Sequence, residues 1–533
     1  MKHARATTAA QILWAGAELF ADRACVTDLD AAHADETFSY AAVATRAAAT
    51  GGALRALGLR RGDRVAILLH NSQAYVDVFL GALAAGLIVV PLNVRLTQED
   101  YLHMLTDSGS RVLVTTSEFG ARLPRDGRVH GLTVLLADAS TDDLTAGAAP
   151  LPGPEPGEDS EVASLMYTSG TTGSPKAVML THASWRSVAG TAIDVLGFTD
   201  GEVTLHVAPL THGAGFLFLP TLMTGGHNLL CRSFDAARTA ALIDGHGVTG
   251  MFVVPSMIRM LLDATPAGFT APPSFRRLYY AGSPIDPETL REATAAFGGR
   301  VVQSFAQMES PMFVTVLDQE DHRRALADPD LPLARSAGRV LPGVELRVTG
   351  DDGAPLPAGE PGEVLARAPQ TMAGYWNRPE ATSAALRDGW LHTGDVGYLD
   401  EDGYLFLVDR KKDMIVTGGS NVYAREVEEV LLTLPGVREA AVVGLPHRIW
   451  GEAVTAVLVA DGAPRGEEEI IAGCRATLAG YRVPKRVVWV DELPRNAYGK
   501  VLKRRLRAEL SDQPSDQLSD RLSAAPTSAP ADH

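Results

Sequence analysis

Cysteine is scarce in this sequence, and its scarcity excludes several kinds of site. There are only three cysteines, Cys25, Cys231 and Cys474, and they are far apart. This number and spacing exclude a disulfide framework and a C-x-x-C metal site, and they favour a reducing compartment. No pair of histidines has the spacing of a zinc-binding helix. We therefore expect a cytoplasmic protein without a structural metal site.

Positive charge and long apolar runs are also scarce. The formal net charge is −16, which argues against nonspecific binding to nucleic acid but leaves room for a locally basic pocket. The most apolar window, Val78 to Leu92, contains Pro91 and is shorter than the roughly 20 residues that span a bilayer. Polar and acidic residues interrupt the apolar stretch near the N terminus, so we expect no signal peptide and no membrane span.

The chain is long enough for more than one domain, and its pattern is that of an α/β protein. At 533 residues, two to four domains or subdomains are expected. Short apolar strands alternate with helices, starting with an amphipathic helix over residues 8–24, and this alternation predicts α/β layers. Residues 340–367 change to short alternating strands with glycine turns, which predicts a small β subdomain. A compact α+β unit follows Arg410.

One stretch, Tyr167 to Lys176, reads Y-T-S-G-T-T-G-S-P-K and lies between two short apolar runs that predict strands. Its hydroxyls, its close-approaching glycine backbone and its lysine suit phosphate oxygens. It is not a Walker A loop, because Ser174 and Pro175 stand between the second glycine and the lysine. The alternative interpretation is a surface loop of small polar residues. A loop rich in proline, glycine and acids, residues 145–159, leads into this stretch.

Several other predicted strands end in turns rich in glycine, proline or polar residues. These turns are A-P-L-T-H-G-A-G over residues 208–215, Gly282-Ser283-Pro284, and Ala306-Gln307-Met308-Glu309. Ligands of α/β folds bind at the carboxyl ends of the strands. We therefore expect these turns to converge on one crevice.

Taken together, these motifs resemble the adenylate-forming superfamily, which includes acyl-CoA and aryl-CoA synthetases, luciferases and adenylation domains of peptide synthetases. The resemblance covers roughly residues 10–510. It implies a large N-terminal adenylation domain over residues 1–409, built of two α/β layers and the small β subdomain. It also implies a small, mobile α+β lid over residues 410–510. The remaining residues 511–533 have the composition of a disordered tail.

The resemblance also implies which residues contact ATP. The loop from Thr168 to Lys176 handles the β- and γ-phosphates, Gly282 to Pro284 lie on the adenine side, and Phe305 packs on adenine. Asp395 and Arg410 hydrogen-bond the ribose. The full set of implied nucleotide-binding residues is Thr168, Ser169, Gly170, Thr171, Thr172, Gly173, Gly282, Ser283, Pro284, Ser304, Phe305, Asp395 and Arg410.

The resemblance assigns catalytic roles to a further group. Lys500 bridges the substrate carboxylate and the α-phosphate, where charge neutralisation assists attack of one anion on another. Glu309, together with Thr168, holds Mg²⁺, a hard cation suited to oxygen ligands. His212 lies near the acyl carboxylate and the thiol channel, and Lys412 is the hinge of the lid. Rotation there brings Gly418 and Gly419 to the thiol channel.

Each of these residues also has an ordinary explanation. Glu309 is then a solvated acid at a helix start, Asp395 a turn residue after glycine, and His212 a structural residue of its loop. Lys500 is then surface charge within the basic segment K-V-L-K-R-R-L-R. Taken jointly, these explanations require several coincidences in the correct order, which favours the functional interpretation.

The sequence departs from the family at one motif. The usual Tyr-Gly-x-Thr-Glu reads Phe305-Ala306-Gln307-Met308-Glu309. Phenylalanine keeps the stacking surface but loses a hydroxyl. Met308 stands where a threonine hydroxyl normally contacts the α-phosphate. Losing a hydrogen bond to a charged group costs about 1.5–3 kcal/mol unless another donor replaces it.

The substrate is expected to be an aromatic or aliphatic carboxylic acid rather than an amino acid. Members that activate amino acids place an aspartate near residues 211–216 to pair with the substrate ammonium, and none stands there. A buried, unpaired ammonium would be costly. Ordinary core packing is the alternative for the apolar members among the expected pocket residues, which are His206, Phe216, Tyr280, Gly282, Gln307 and Met312.

These inferences predict an acid–CoA ligase that uses ATP and Mg²⁺ and takes CoA as co-substrate. One rival keeps the fold but passes the adenylate to a carrier-protein thiol or an amine, including activation of nitrite for diazotisation of an aryl amine. A second rival is a noncatalytic nucleotide-binding homologue. Oligomeric state stays open, with a homodimer among the alternatives.

Overall fold

A computed structural model describes residues 8–31, 36–123, 131–138, 140–168, 175–266, 268–327, 332–495 and 501–511. The chain divides into two compact units. The larger unit comprises Met1–Arg347, Leu365–His392 and Asp402–Leu405, and the smaller one comprises Val348–Val364, Thr393–Glu401 and Phe406–His533. The loop residues Ser169, Gly170, Thr171, Thr172 and Gly173, the proposed catalytic Lys500 and the tail from residue 512 lie outside the described residues.

The α-helices of the described residues are α1 (Ala9–Phe20), α2 (Tyr40–Ala56), α3 (Gln73–Ala84), α4 (Gln98–Ser108), α5 (Ser117–Ala121), α6 (Asp142–Thr145), α7 (His182–Leu196), α8 (Phe218–Met223), α9 (Ala236–Gly245), α10 (Pro255–Ala264), α11 (Pro287–Ala296), α12 (Gln319–Ala327), α13 (Pro379–Ala385), α14 (Ala424–Leu432), α15 (Glu467–Arg475) and α16 (Lys503–Ser511). Short 3₁₀ segments lie at Gly213–Leu217 and Pro332–Arg335.

The strands are β1 (Ala24–Asp28), β2 (Glu36–Ser39), β3 (Arg64–Leu68), β4 (Ile88–Pro91), β5 (Val112–Thr115), β6 (Thr133–Leu136), β7 (Val162–Thr168), β8 (Lys176–Thr181), β9 (Val203–His206), β10 (His227–Leu230), β11 (Gly250–Val253), β12 (Arg277–Tyr280), β13 (Val301–Gln307), β14 (Ser310–Leu317), β15 (Arg339–Val340), β16 (Glu345–Thr349), β17 (Gly362–Arg367), β18 (Gly374–Tyr375), β19 (Leu386–Arg387), β20 (Trp390–Leu399), β21 (Leu405–Arg410), β22 (Ile415–Thr417), β23 (Ser420–Val422), β24 (Val437–His447), β25 (Gly451–Ala460) and β26 (Arg486–Trp489).

Two large sheets form the frame of the larger unit. A nine-stranded sheet has the order β15-β14-β13-β12-β11-β9-β10-β1-β2, and its strands from β13 to β1 run parallel. A seven-stranded sheet has the order β18-β8-β7-β4-β3-β5-β6, with β7, β4, β3, β5 and β6 parallel. Parallel strands end at one edge of a sheet, so the turns that follow β9, β12 and β13 share an edge, as expected from the sequence.

Helices cover these sheets on both faces, as buried parallel strands require. The largest apolar cluster joins residues of both sheets to helices α1, α2, α3, α7 and α8. A second cluster packs helices α9 to α11 on the other face of the nine-stranded sheet, and a third packs α4 and Phe119 of α5 on the other face of the seven-stranded sheet. The larger unit therefore consists of stacked α/β layers, in agreement with the predicted fold class.

Helices α2 and α3 pack unusually closely because small residues meet at their crossing. A Cβ atom at Gly81 would lie 2.8 Å from the Ala47 carbonyl oxygen, and one at Gly51 would lie 2.7 Å from the Gly81 carbonyl oxygen. Only glycine permits this approach. Helix α3 then ends before Gly86, which has a φ of +67° and turns the chain into the buried strand β4. The apolar window predicted as helix, glycine turn and strand has that structure.

The structure corrects one predicted helix. The amphipathic helix expected over residues 8–24 ends at Phe20, and Ala24 begins strand β1. Strand β1 pairs with β10, about 200 residues further along the chain, so its β conformation depends on a partner that local periodicity does not reveal. The loop over residues 145–159 packs against α2 and α3, with Leu151 N–H donating to the Ala48 carbonyl and Glu155 N–H to that of Ala84.

The smaller unit is an α+β structure around a sheet of order β23-β22-β25-β24, with β26 paired to β25. Helices α14 and α15 cover one face, and α16 packs on the other. Helix α16 ends at Ser511, one residue beyond the predicted end of the lid at residue 510. A further sheet has the order β16-β17-β20-β19, with β21 beside β20, and contains the predicted small β subdomain.

The three cysteines are buried and unbonded to one another. Burial raises the pKa of the Cys25 thiol well above its usual value, and it raises that of Cys231 to about 12. Burial also raises the pKa of Cys474. Among the described residues, no helix is both long and apolar enough to cross a membrane.

Candidate functional site

The predicted phosphate loop joins two adjacent antiparallel strands. Thr168 is the last residue of β7 and pairs directly with Lys176, the first residue of β8. Both residues are half-buried, and the six residues between Thr168 and Pro175 lie outside the described part of the chain. The flanking strands therefore have the predicted positions, and the two ends of the loop are held opposite each other.

Lys176 and Glu309 meet around a tyrosine that sequence reasoning missed. The Tyr375 hydroxyl donates a hydrogen bond to Glu309 Oε1 over 2.7 Å. The Lys176 ammonium lies 5.1 Å from the centre of the Tyr375 ring, which is within range of a cation–π contact. Burial, followed by the neighbouring Glu309 carboxylate, raises the pKa of Tyr375, so its hydroxyl stays protonated as a donor. Three elements thus bring a cation, a carboxylate and a phenol together.

The backbone fixes this arrangement as well. Strand β18 places Tyr375 opposite Val178 of β8, and the Met372 N–H donates to the Glu309 carbonyl over 2.8 Å. The segment G-Y-W-N-R-P around Tyr375 is a turn in the sequence, but nothing in it indicates contact with Glu309, 66 residues away. Only the folded sheet brings these residues together.

The adenine-side residues lie after β12 and within β13. Gly282 has a φ of +95°, a backbone conformation that favours glycine, and the Gly282-Ser283-Pro284 turn is exposed at the sheet edge. Ser304 is buried, with its hydroxyl 2.6 Å from that of Tyr279. Phe305 is half-buried at a register shift in the β13–β14 ladder. Strand β13 extends through Ala306 and Gln307, two residues beyond the predicted end at Phe305, and the turn comprises Met308 and Glu309.

The loop that carries His212 follows β9 and is tied down by Asn71. The Asn71 side chain donates to the Ala208 carbonyl over 2.9 Å and accepts from the Leu210 N–H over 2.8 Å. Gly215 is required by close approach, since a Cβ there would lie 2.1 Å from the Leu210 carbonyl oxygen. Burial lowers the pKa of His212 to about 4, so its imidazole is neutral at pH 7.

The structure separates the predicted pocket residues into two faces. Phe216 and Met312 belong to the large central cluster, whereas Tyr280 lies on the opposite face of the nine-stranded sheet, with its hydroxyl 3.2 Å from His322 Nε2. The structure therefore does not bring Tyr280 together with Phe216 and Met312. Successive strand residues point to opposite faces, and the neighbouring Tyr279 is the tyrosine on the central face.

Tyr279 forms part of an aromatic cluster that sequence reasoning missed. Its ring lies 5.3 Å from Phe252 and 5.7 Å from Phe313, and its hydroxyl donates to the Met312 carbonyl over 3.3 Å. Met312 has a φ of +68°, which is strained for a residue other than glycine. Phe216 stacks on Trp185 at 4.5 Å.

Two other predicted pocket residues have different surroundings. His206 is buried, with Nε2 at 2.8 Å from Asn228 Oδ1, and burial lowers its pKa to about 4. These contacts give His206 a place in the core. Gln307 ends β13, half-buried, and pairs with Ser310 across the turn that carries Glu309.

In the smaller unit, the predicted ribose residues pair with each other. Arg410 Nε lies 3.1 Å from Asp395 Oδ1, and the two residues stand on the adjacent strands β20 and β21. Asp395 is buried, which strengthens this contact by excluding water. Lys411 binds Glu363 over 3.2 Å, and Lys412 is exposed beside it.

The other lid residues lie in two turns. Gly418 and Gly419, with φ of +58° and +81°, form the turn between β22 and β23. Lys500 lies outside the described residues, but its loop is closed by a bridge between Arg495 and Val501 and by a Leu502 N–H to Pro494 carbonyl bond of 2.7 Å.

The protein groups at the Glu309 site suit Mg²⁺ bound mainly through a nucleotide. Among the described residues, no group of three or more His, Cys, Asp or Glu side chains could enclose a metal ion. Mg²⁺ commonly takes one or two protein carboxylates and completes its shell with phosphates and water. A single carboxylate oriented by Tyr375 matches that use.

The stacked parallel sheets, the hydroxyl-rich loop between β7 and β8 and the separate α+β unit define a two-domain α/β enzyme of the nucleotide-binding type. The family model described as "AMP-binding enzyme" matches residues 13–376, and the model described as "AMP-binding enzyme C-terminal domain" matches residues 426–500. The chain belongs to this family of AMP-binding, adenylate-forming enzymes. The resemblance inferred from the motifs is thereby confirmed.

The chain is similar to several ligases of carboxylic acids. The chain is 38% identical over 487 residues to a feruloyl-CoA synthase of an Amycolatopsis species, covering 89% of this chain and 94% of the relative. It is 36% identical over 485 residues to the long-chain-fatty-acid–CoA ligase FadD13 of Mycobacterium tuberculosis, covering 90% of this chain and 94% of the relative. It is 37% identical over 464 residues to the fatty acid–[acyl-carrier-protein] ligase ScoC of Streptomyces coeruleorubidus, covering 85% of this chain and 88% of the relative.

Solved structures agree with this assignment. O-succinylbenzoate-CoA synthetase of Bacillus subtilis, in complex with its acyl-adenylate intermediate, has a TM-score of 0.84 at 31% identity over 93% of this chain and 97% of that chain. The same enzyme in complex with ATP and magnesium ion has a TM-score of 0.82 at 31% identity, covering 93% of this chain and 98% of that chain. Both match along nearly the whole chain, including the smaller C-terminal domain.

Proposed function

We propose that this protein activates a carboxylic acid with ATP as an acyl-adenylate and then transfers the acyl group to the thiol of CoA. The products are acyl-CoA, AMP and pyrophosphate. The observation that carries the proposal is the meeting of Lys176, Glu309 and Tyr375 beside the phosphate loop, in a chain whose relatives are acid–CoA ligases. The enzyme is an AMP-forming acid–thiol ligase.

In this proposal, the larger unit binds the triphosphate. Thr168 and Lys176 stand at the two ends of the loop that surrounds the β- and γ-phosphates, and Lys176 offsets their charge. Glu309 and Thr168 hold Mg²⁺, with Tyr375 orienting the Glu309 carboxylate. When bound, Mg²⁺ supplies charge neutralisation to the departing pyrophosphate oxygens.

The adenosine is held by groups from two regions. Phe305 offers an aromatic surface to adenine beside the Gly282-Ser283-Pro284 turn, and Ser304 directly precedes it on β13. Asp395 accepts from the ribose hydroxyls and Arg410 donates to them. Their ion pair fixes both side chains before the ligand binds, which lowers the entropy lost on binding.

The acyl transfer is assigned to the smaller domain and to the His212 loop. We assign residues 1–409 to the adenylation domain and residues 410–510 to a mobile lid with its hinge at Lys412. Lys500 neutralises charge during adenylation and withdraws afterwards. His212, which is neutral at pH 7, donates or accepts a hydrogen bond near the acyl group without adding charge.

The proposed substrate class rests on the charge of the His212 loop and on the apolar residues of one face of the nine-stranded sheet. The His212 loop carries no carboxylate that could pair with a substrate ammonium, which supports an aromatic or fatty acid. Phe216, Tyr279 and Met312 lie on the same face of the nine-stranded sheet and are the apolar residues proposed for the pocket wall. The three unbonded thiols support a reducing, cytoplasmic location.

A carrier-protein thiol is the second candidate acceptor. It is favoured by one observation, the 37% identity to an acyl-carrier-protein ligase. The adenylation half of the mechanism is the same in both cases. Only the acceptor in the second half-reaction differs.

Pyrophosphate release tests the proposal. The full chain is incubated with ATP, Mg²⁺ and each member of a panel of aromatic and fatty acids, with and without CoA. Acid-dependent pyrophosphate release with CoA-dependent acyl-CoA formation supports the proposal. If pyrophosphate is released without acyl-CoA formation and a carrier protein is then loaded, the acceptor is the carrier-protein thiol rather than CoA. No release with any acid contradicts the proposed activity.

A further inference from the structure

Helix α4 packs against the seven-stranded sheet beside the strands that flank the phosphate loop. Its buried residues share one apolar cluster with Tyr167 of β7 and Ala177 of β8. His103 and Asp107 are four residues apart on this helix, so they lie on the same face of it. Neither side chain has a role in the proposed function so far.

Asp107 binds two residues from different parts of the chain. The Tyr167 hydroxyl donates to Asp107 Oδ2 over 2.9 Å, and the Arg378 guanidinium donates to Asp107 Oδ1 over 2.5 Å. The carboxylate is only 8% exposed and the guanidinium 44%, so the ion pair lies at the edge of the buried region. Burial, followed by the charge of Asp107, raises the pKa of Tyr167, so its hydroxyl stays a donor. Asp107 therefore connects β7 to the segment that follows β18.

Arg378 belongs to the turn that carries Tyr375. The Arg378 N–H donates to the Tyr375 carbonyl over 3.2 Å, and Asn377 between them has a φ of +53°. Asparagine is one of the few residues other than glycine that adopt this left-handed conformation readily. Because Arg378 and Tyr375 share one hydrogen-bonded turn, the ion pair at Arg378 restrains Tyr375. It thereby restrains the hydrogen bond from Tyr375 to Glu309.

A second contact of α4 holds the other end of the phosphate loop. His103 Nε2 lies 2.9 Å from the Pro175 carbonyl oxygen. A carbonyl only accepts hydrogen bonds, so Nε2 carries the proton and donates. The His103 ring also meets the Tyr167 ring edge to face, with the ring centres 6.5 Å apart. Tyr167 directly precedes Thr168. Pro175 directly precedes Lys176, so α4 contacts the neighbour of both residues that end the loop.

These contacts act from the face of the sheet that is opposite the proposed phosphate site. Tyr167 pairs with Ala177, and both pack in the cluster of α4. Successive residues of a strand point to opposite faces. The next pair of the ladder, Thr168 and Lys176, therefore points away from α4. Asp107 consequently lies behind the two strands and can act on a bound triphosphate only through them.

We propose that Asp107 is a positioning residue of the triphosphate site. Through Tyr167 it fixes the end of β7, and through Arg378 it fixes the turn that carries Tyr375. The inference rests on the proposed function, because it names what holds the phosphate and Mg²⁺ residues of that reaction in place. Both contacts of Asp107 lead to residues assigned to the β- and γ-phosphates and Mg²⁺, so its removal should affect ATP and not AMP.

Equilibrium binding of two nucleotides to the full chain tests the proposal. Titration calorimetry compares ATP with Mg²⁺, and AMP, on the wild type, Asp107→Asn and Arg378→Gln. Asparagine keeps an acceptor for Tyr167 but removes the charge, and Arg378→Gln removes the same ion pair from its exposed side. AMP lacks the β- and γ-phosphates. Both variants should therefore weaken ATP binding about tenfold, as outer-sphere partners of a metal site do, and leave AMP binding unchanged.

Asp30→Asn is the matched control, because Asp30 forms an ion pair with the exposed Arg238 in the same unit, beside the nine-stranded sheet. It should change neither titration. Unchanged ATP binding in Asp107→Asn or in Arg378→Gln, or equal weakening of ATP and AMP binding, overturns the proposal. Should Asp107→Asn fail to fold, Arg378→Gln decides by the same criterion.

A double variant shows whether the ion pair acts through Tyr375. The Mg²⁺ concentration for half-maximal ATP–pyrophosphate exchange is measured in Tyr375→Phe, in Arg378→Gln and in the variant with both changes. Residues that act through one shared contact have non-additive effects. The double variant should therefore match the more affected single variant within about twofold. Effects that multiply in the double variant would show that Arg378 acts independently of Tyr375 and would contradict the proposal.

Failure of this inference and failure of the proposed function are distinguishable, because nucleotide binding is measured without acid or CoA. A wild type that releases pyrophosphate with an acid keeps the function even where Asp107→Asn binds ATP normally, and only the positioning role is then lost. A wild type that neither binds ATP nor releases pyrophosphate loses both.

Discussion

The Tyr375 hydroxyl holds Glu309 Oε1 at 2.7 Å, and the ring of the same tyrosine lies under the Lys176 ammonium. One side chain thus contacts both the acid proposed to hold Mg²⁺ and the cation proposed to offset phosphate charge. The tyrosine contributes orientation rather than charge. Its removal should therefore change metal dependence more than stability.

Tyr375→Phe removes this hydrogen bond and keeps the ring. Outer-sphere partners of metal ligands typically contribute 10- to 100-fold to metal affinity. We expect ATP–pyrophosphate exchange to require about 10- to 100-fold more Mg²⁺ for half-maximal rate. Tyr481→Phe, at an exposed tyrosine of the other unit, serves as control. An unchanged Mg²⁺ dependence in Tyr375→Phe would separate Tyr375 from the metal site.

Lys500→Ala should separate the two half-reactions. Removing a cation that neutralises developing charge is expected to slow adenylation about 10²- to 10³-fold. Thioester formation from a supplied acyl-adenylate should stay within a few-fold of wild type. The rates are measured by pyrophosphate exchange and by thioester formation under single-turnover conditions.

Arg504→Ala distinguishes this role from general surface charge. Arg504 lies in the same basic segment and is exposed. It should leave both half-reactions unchanged. Equal slowing by Lys500→Ala and Arg504→Ala, or equal loss of both half-reactions in Lys500→Ala, would refute the assigned role.

Met308→Thr restores the hydroxyl that the family usually places at this position. The Met308 side chain is half-buried and packs against the central apolar cluster. We expect the KM for ATP in pyrophosphate exchange to fall about tenfold, because a hydrogen bond to a charged phosphate is gained. Met308→Val, which adds no donor, is the control. If threonine and valine behave alike, another donor already serves the α-phosphate.

The buried ion pair of Glu202 and Arg277 should dominate the stability of its region. Arg277 also donates to the Leu196 carbonyl over 2.9 Å and lies over the Phe198 ring at 4.1 Å. Glu202→Ala leaves the buried guanidinium without its counter-charge, which typically costs about 3–5 kcal/mol. The free energy of unfolding is measured with urea. The double variant Glu202→Leu/Arg277→Met should cost clearly less, and an equal or greater loss would contradict this explanation.

Acid should destabilise the protein between about pH 6.5 and pH 4. Burial lowers the pKa of His206 and that of His322 to about 4, so both stay largely neutral in the folded state until the pH approaches 4. The unfolded chain takes up protons as the pH falls through about 6.5, and uptake by the unfolded state alone favours unfolding. Stability is therefore fully present above pH 6.5 and decreases below it, by about 3 kcal/mol per histidine at pH 4.

The matched variant for this pH dependence is His322→Gln. Glutamine keeps a hydrogen-bonding group near Tyr280 but does not titrate. The difference in unfolding free energy between pH 7.5 and pH 5 should be smaller in His322→Gln than in the wild type. An identical difference would show that His322 does not contribute.

Much of the fold could be predicted because its signals are local. The strands on both sides of the phosphate loop, and the turns after β9, β12 and β13, follow from apolar runs ended by glycine and proline. Strand β1 was not predicted; it lies between the neighbouring β2 and β10 from the middle of the chain, and the pairing with β10 has no local signal. The helical pattern of α1 extended into it.

The site was less accessible to sequence reasoning, since it depends on strand faces and distant contacts. Tyr279 and Tyr280 are adjacent and chemically alike, and only the register with neighbouring strands decides which one faces the central cluster. Tyr375 is brought to Glu309 by pairing of β18 with β8.

The burial of all three native thiols makes this chain a favourable background for fluorescence labelling. A maleimide dye reacts with exposed thiolates, and Cys25, Cys231 and Cys474 are shielded and hard to ionise. Two cysteines introduced at exposed positions, one in each unit, should then accept donor and acceptor dyes without removal of the native residues. Energy transfer between such dyes would test the proposed rotation of the lid in single molecules during turnover.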